Sequence, residues 1–215
     1  MKKGCLIPLL FAALIAIDGT QVFAQRSSGR GSGAPPKGSF RIGAAGGIAI
    51  LGDDLTKTFD NYRLGPVADL DFAYLAHQSF SVGLFGGLGA MASRFGEDDA
   101  KNFFQWYGVQ FEGRVITNRG AVIPFAFVRL GGVSTSPSIT RSGVTTETES
   151  ITAFTYGIGM GVEFLVKKGR NPISVRLVAG GNLTTTDELD RFVSGGNKDG
   201  FSFISAGMCF YFSKR

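Results

Sequence analysis

Apolar and polar residues alternate along most of the chain after position 39. In the segment 151–166, the even-numbered positions from Phe154 to Val166 are apolar, whereas the odd-numbered positions from 157 to 163 hold three glycines and Glu163. Successive side chains of a β-strand point to opposite faces, so this alternation predicts a strand with one apolar face. No segment after position 39 shows a convincing helical period.

Eight such segments are predicted as strands, and they span 39–50, 63–76, 79–92, 103–116, 121–133, 151–166, 172–184 and 201–212. Each has 12 to 16 residues. Strands of ordinary globular proteins have about 5–6 residues. A tilted strand that crosses a membrane needs about 9–11 residues plus its rims. The strand lengths therefore favour a membrane barrel over a soluble sandwich.

The predicted connections alternate between short and long. The short ones are 77–78, 117–120 and 167–171, and the long ones are 51–62, 93–102, 134–150 and 185–200. In an up-and-down antiparallel barrel this places every short turn at one end and every long loop at the other. Outer-membrane barrels show this pattern, with short periplasmic turns and long extracellular loops.

Small and charged residues share one face of the predicted strands, and large apolar residues share the other. The charged residues of the first face are Arg41, Asp69, Asp71, Glu112, Arg114, Glu163 and Arg176. An eight-stranded barrel encloses a space that side chains just fill. We therefore expect the apolar face to meet lipid and the charged residues to pair inside as a structural plug, which we favour over a functional pore.

The segment 121–133 is ambiguous because both of its faces are apolar. If Phe125 and Phe127 faced lipid, Arg129 would lie outside near the external rim, unless a bulge turned it inward. Pro66 and Pro124 fall inside predicted strands, and we expect them near strand ends or at bulges.

Composition agrees with a folded barrel. The chain is 44% hydrophobic and 18% charged, and this excludes a disordered protein.

Residues 1–24 combine a basic start, a 13-residue apolar run and a small-residue cleavage site, and they predict a secretory signal peptide. We further predict a flexible periplasmic linker at 25–38, a transmembrane barrel at 39–212 and a short tail at 213–215.

The net charge of +5 is unevenly distributed over this topology. The four long loops carry more acidic than basic residues, whereas the charged residues of the linker, the short turns and the tail are all basic. We expect the basic rim formed by Lys167, Lys168 and Arg170 to lie against anionic lipid headgroups. A partner role for nucleic acid is therefore not expected.

Residues suited to catalysis are scarce. The single histidine, His77, falls in the tightest predicted turn, and no nucleophile elbow or phosphate loop is present. The acidic clusters of the long loops lack the spacing of a calcium loop. We expect no catalytic site, no cofactor and no metal site.

The chain resembles the small eight-stranded outer-membrane barrels of Gram-negative bacteria, the class of the OmpA transmembrane domain and OmpX. The resemblance covers about 39–212 and rests on the strand pattern, on Gly157-Ile158-Gly159-Met160-Gly161 and on the closing Phe210-Tyr211-Phe212. It implies delivery to the outer membrane by the barrel-assembly machinery. Here Ser213-Lys214-Arg215 follow the closing aromatic residues, which differs from the C-terminal aromatic residue of the family.

The combined features predict a non-enzymatic outer-membrane protein with a structural, adhesion or surface-interaction role. Its expected partners are outer-membrane lipids, lipopolysaccharide and an extracellular partner that binds the loops 134–150 and 185–200. A narrow permeation barrel is the main alternative. A lipid-modifying enzyme and a soluble periplasmic ligand-binding barrel are less favoured.

Overall fold

A computed structural model describes residues 34–52, 65–95, 98–116, 122–141, 143–147, 149–169, 171–185 and 200–213. Its strands are β1 Phe40–Gly52, β2 Gly65–His77, β3 Phe80–Phe95, β4 Asp98–Arg114, β5 Val122–Arg141, β6 Val144–Glu147, β7 Ile151–Lys167, β8 Ile173–Thr184 and β9 Gly200–Phe212. The predicted segments 1–24 and most of 25–38 lie outside the described residues.

The strands form one antiparallel sheet that closes on itself. Each long strand pairs with its sequence neighbour, with β5 paired to β7, and the pairing of β1 with β9 closes the barrel. The fold is therefore a closed eight-stranded β-barrel, and the short β6 is an additional strand paired to the outer part of β5. Within the described residues, no helix is long and apolar enough to cross a membrane.

Two ends of the barrel can be distinguished. The turn end holds the start of β1, the end of β9 and the β2–β3 and β7–β8 connections at 78–79 and 168–172. The turn end also holds the end of β4 and the start of β5, and the opposite ends of the strands form the loop end. Pro66 is the second residue of β2 and Pro124 the third of β5, so both lie near strand ends as expected.

The outer face of the barrel is an apolar belt. Exposed side chains on it include Ile42, Leu70, Leu84, Ile158 and Ile204, which are 46–65% exposed. Inward positions between them are buried or half-buried, as the alternating patterns of β2 and β7 show. An apolar exterior on a closed barrel fits a lipid environment and does not fit a soluble barrel, whose apolar residues face inward.

Two segments predicted as long loops are largely strand. β3 continues to Phe95 and β4 begins at Asp98, so most of 93–102 is paired hairpin. Likewise β5 continues to Arg141, and β6 returns beside it within 134–150. The apolar alternation ends where the lipid belt ends, but backbone pairing continues beyond it. The other predicted long loops, 51–62 and 185–200, lie mainly outside the described residues.

The end of the predicted linker also differs from the expectation. Ala34 and Pro35 are buried rather than solvent-exposed, and Ser39 is fully buried beside them. The segment gives no periodic signal because it is short and rich in proline and glycine. Its position is set by contacts with the barrel, and these become apparent only in the folded structure.

Candidate functional site

The interior of the barrel holds one continuous network of charged and polar side chains. It contains the seven residues predicted from the sequence, namely Arg41, Asp69, Asp71, Glu112, Arg114, Glu163 and Arg176, and four further residues, Trp106, Gln110, Arg129 and Tyr211. Alternation along each strand places these side chains inward, where the backbone of the neighbouring strands excludes lipid.

The turn-side ion cluster centres on Glu112 of β4. Arg41 donates to both carboxylate oxygens of Glu112, at 2.7 and 3.1 Å, and also to Asp71 at 2.9 Å. Arg176 donates to Glu112 at 2.5 Å, and Nε of Arg114 lies 3.5 Å from the same carboxylate. A fully buried carboxylate therefore faces three guanidinium groups, an arrangement that compensates its desolvation.

Glu163 extends this cluster toward the turn end. Arg114 donates to Glu163 at 2.7 Å and to the Tyr211 hydroxyl at 2.8 Å. The Tyr211 hydroxyl in turn donates to Glu163 at 2.6 Å. Tyr211 thus closes a three-membered ring of hydrogen bonds deep in the interior, where it is 1% exposed.

The loop-side ion cluster centres on Arg129 of β5. Its guanidinium pairs with Asp69 at 3.0 Å, and Asp69 also accepts from the Trp106 indole at 2.9 Å. The same guanidinium lies 4.6 Å from the ring centre of Phe85 and 4.9 Å from that of Phe127. Arg129 is therefore held by one ion pair and by cation–π contacts.

Gln110 joins the two clusters. Its side-chain oxygen accepts from Arg129 at 2.8 Å, and its side-chain nitrogen donates to Glu112 at 3.2 Å. With Arg129 included, the network contains four arginines and four carboxylates. The interior charge of the network is therefore balanced, which the seven predicted residues alone do not achieve.

The position of Arg129 resolves the ambiguous strand. Phe125, Phe127 and Arg129 all point inward, each 4–5% exposed, and β5 pairs with β4 and β7 without a register shift in this region. No bulge is needed. The sequence feature that assigns these residues to the inner face lies on the neighbouring strand, β7. There Gly161, Gly159 and Gly157 pair with Phe125, Phe127 and Arg129. Gly159 and Gly161 leave room for Phe127 and Phe125, because a Cβ at either glycine would collide with the ring opposite.

The rest of the lumen is filled mainly by aromatic rings. Phe104 stacks on Trp106 with ring centres 5.2 Å apart, and Phe201 contacts both. Gly87 lies beneath Trp106, where an added Cβ would collide with the indole ring and with a backbone carbonyl. A strand glycine costs stability, but here it makes the space that the ring occupies.

A cavity of about 30 Å³ lies between the two ion clusters. Its lining includes Asp69, Asp71, Arg176, Ser205 and Cys209. Among the described residues, the buried Ser205 hydroxyl has no hydrogen-bond partner. Apolar residues such as Phe125, Phe127 and Val178 form much of the remaining lining, and the volume is that of about two water molecules.

The other predicted site residues lie outside this network. Lys167 and Lys168 are exposed at the turn end, and Arg170 lies outside the described residues. His77 is exposed and accepts a hydrogen bond from the Ser79 backbone at 3.1 Å, a contact that stabilises the turn. Within the described part of the chain, no group of three His, Cys, Asp or Glu residues could hold a metal ion.

The closed barrel, its apolar exterior and its charged interior together define the fold of an integral outer-membrane β-barrel protein. No protein-family model matches the chain, and no curated protein matches it significantly.

Several solved structures of membrane barrels are similar to this chain. Neisserial surface protein A (NspA) matches with a TM-score of 0.55 at 15% identity, over 80% of this chain and 98% of that protein. The Yersinia pestis attachment invasion locus protein Ail, in complex with the heparin analogue sucrose octasulfate, has a TM-score of 0.48 at 14% identity, over 81% and 100% of the two chains. OprG from Pseudomonas aeruginosa has a TM-score of 0.47 at 10% identity, over 86% and 100%. At 15% identity, the match to NspA shows a shared fold.

Proposed function

We propose that the protein is a non-enzymatic outer-membrane barrel that acts at the cell surface through its loop end, with its turn end in the periplasm. The charge-balanced lumen carries this proposal. Four buried arginines are matched by four carboxylates, and aromatic rings occupy the space above them. The cavity of about 30 Å³ is far smaller than a hydrated solute needs. The barrel interior therefore supports a rigid plug better than a permeation path.

The loop end supplies the surface for interaction. β5 has 20 residues, whereas β1, β2 and β9 have 13 each. Outward residues of β5 change from Val128 and Leu130 to serines and a threonine at 134, 136, 138 and 140. At about 3.4 Å per residue, the segment 134–141 extends roughly 25 Å along the strand beyond the apolar belt.

Hydroxyl groups cross-link this extension. Ser136 and Ser150 lie 2.8 Å apart, Thr140 and Thr145 lie 3.0 Å apart, and Thr152 donates to Ser134 at 3.2 Å. At the tip, the Val144 side chain is 68% exposed. A paired hairpin of this kind presents a defined polar surface with an exposed apolar tip, which is suited to contact with another macromolecule or with surface sugars.

The test shortens the hairpin without disturbing the barrel. Ser136 lies opposite Ser150, so replacing 137–149 by Asn-Gly gives a two-residue turn in the same register. Bacteria that display the intact or the shortened protein are compared for attachment to immobilised matrix proteins and glycans. We expect attachment of the intact form to at least one of these surfaces and its loss on shortening. Equal attachment of both forms and of cells lacking the protein would contradict a surface role for the hairpin.

A further inference from the structure

Six residues, 34–39, precede β1 at the turn end of the barrel, and Ala34, Pro35 and Ser39 among them are buried. We propose that residues 34–39 form a stopper that closes the mouth of the barrel at this end and keeps water from the turn-side ion cluster. The inference rests on the proposed plugged lumen and adds the segment that closes the periplasmic end of that lumen. Three kinds of observation support it: an apolar contact, a set of hydrogen bonds and the position of the charged residues directly above.

The apolar contact joins the stopper to inward-facing residues at the mouth. Ala34 packs in one buried cluster with Ile123 and Leu165, and Ile116 packs against that cluster. Ile123 is fully buried although it is the second residue of its strand, close to the end of the barrel. Apolar residues facing into an open, water-filled mouth would be unfavourable, and the stopper removes them from water.

Hydrogen bonds fix the stopper to β2 and to the end of the chain. The Gly38 amide donates to the Leu75 carbonyl at 2.8 Å, and the Leu75 amide donates to the Ser39 carbonyl at 2.9 Å. The Ser39 hydroxyl donates to the Pro36 carbonyl and lies 3.0 Å from the Ser213 hydroxyl. Gly38 has a φ of +81°, a left-handed conformation that glycine adopts without strain and that allows the chain to turn just before β1.

The turn-side ion cluster begins at the next inward-facing positions beyond the residues that contact the stopper. Arg41 follows Ser39 by two residues, and Glu163 precedes Leu165 by two residues, so each pair shares the inner face of one strand. Arg41 and Glu163 are both fully buried. Water entering through the mouth would reach these side chains first and would compete for their hydrogen bonds. A closed mouth therefore preserves the strength of the buried ion pairs.

The test opens the mouth in the full-length chain and measures access to it. An Ile123→Cys substitution in a Cys5→Ala, Cys209→Ala background leaves one thiol in the chain, beneath the stopper, and a charged methanethiosulfonate reagent reports its exposure. The Ala34→Glu variant and an uncharged variant, Ala34→Gly with Pro35→Ser and Pro36→Gly, each disrupt the apolar contact. The control is Lys37→Glu, because Lys37 is exposed on the same segment.

We expect the thiol to react at least about tenfold faster in both disrupted variants than in the intact chain or the Lys37→Glu control. Exchange of the Leu75 amide should accelerate by a similar factor, while that of the Phe72 amide, which lies further inside the same strand, should not change. If Ala34→Glu prevents folding, the thiol reactivity and amide exchange of the uncharged variant test the proposal. Equal thiol reactivity in intact and disrupted chains would overturn the stopper. Steady ion conductance of the intact chain would instead contradict the proposed plug in the barrel lumen.

Discussion

Glu112 is the residue on which the interior network depends most. Its carboxylate accepts from Arg41 and Arg176, lies 3.5 Å from Nε of Arg114 and also accepts from Gln110. Glu112→Gln preserves the size of the side chain but removes its charge. The new amide group is also a hydrogen-bond donor, and it would face guanidinium donors. Removing the charge of one partner of a buried ion pair lowers stability by about 3–5 kcal/mol, because the charge of the other partner stays buried without compensation.

The expected loss of about 3–5 kcal/mol in the free energy of unfolding can be measured by urea titration of the protein folded in lipid vesicles. The single tryptophan, Trp106, is buried next to the network and reports unfolding by its emission. Glu147→Gln is the matched control, since Glu147 lies on the exposed strand β6, and we expect it to change stability by less than about 0.5 kcal/mol.

A second substitution tests whether charge balance is the cause. Arg176→Gln restores equal numbers of positive and negative groups when it is combined with Glu112→Gln. We expect the double variant to be about 1–3 kcal/mol more stable than the sum of the two single effects predicts. Additive effects, or a Glu112→Gln variant no less stable than Glu147→Gln, would refute the view that the network is a coupled, charge-balanced plug.

Three further predictions follow from the same structure. Arg129→Gln should lower the free energy of unfolding by about 3 kcal/mol in the same titration, and an unchanged midpoint would contradict its ion pair. Gly159→Ala should cost about 1–3 kcal/mol because its Cβ would meet an aromatic ring, whereas Gly113→Ala, with open space around it, should not; equal effects would argue against the lumen packing. Neutralising Lys167 and Lys168 to Gln should slow insertion into anionic but not zwitterionic vesicles, by roughly fivefold per residue, and equal rates would count against the basic rim.

Much of the barrel could be predicted from the sequence, because the lipid belt imposes a strict alternation on every strand. The inward positions of Arg41, Glu112 and Glu163 follow from that alternation alone. Their pairing partners do not, because they come from strands far apart in sequence, such as Arg41 of β1 and Glu112 of β4. The ring closed by Tyr211 likewise joins β4, β7 and β9, and no local pattern encodes it.

Arg129 and the stopper show where the sequence pattern is insufficient. In β5 both faces are apolar, one because it meets lipid and the other because it fills the lumen with aromatic rings. Hydrophobicity therefore could not assign the faces, although the glycines opposite Phe125 and Phe127 on β7 do. Ala34 and Pro35 resemble a linker in composition, and only the apolar mouth of the barrel gives them a buried position.

Electrical recording from the purified protein in a planar lipid bilayer tests the central claim most directly. The claim is that four arginines and four carboxylates, together with the aromatic rings, close the lumen. The intact chain should show no steady ion conductance above that of the protein-free bilayer. Stable conductance steps that change with Arg114→Ala or Glu112→Ala would contradict the closed lumen and would establish an ion path through the network.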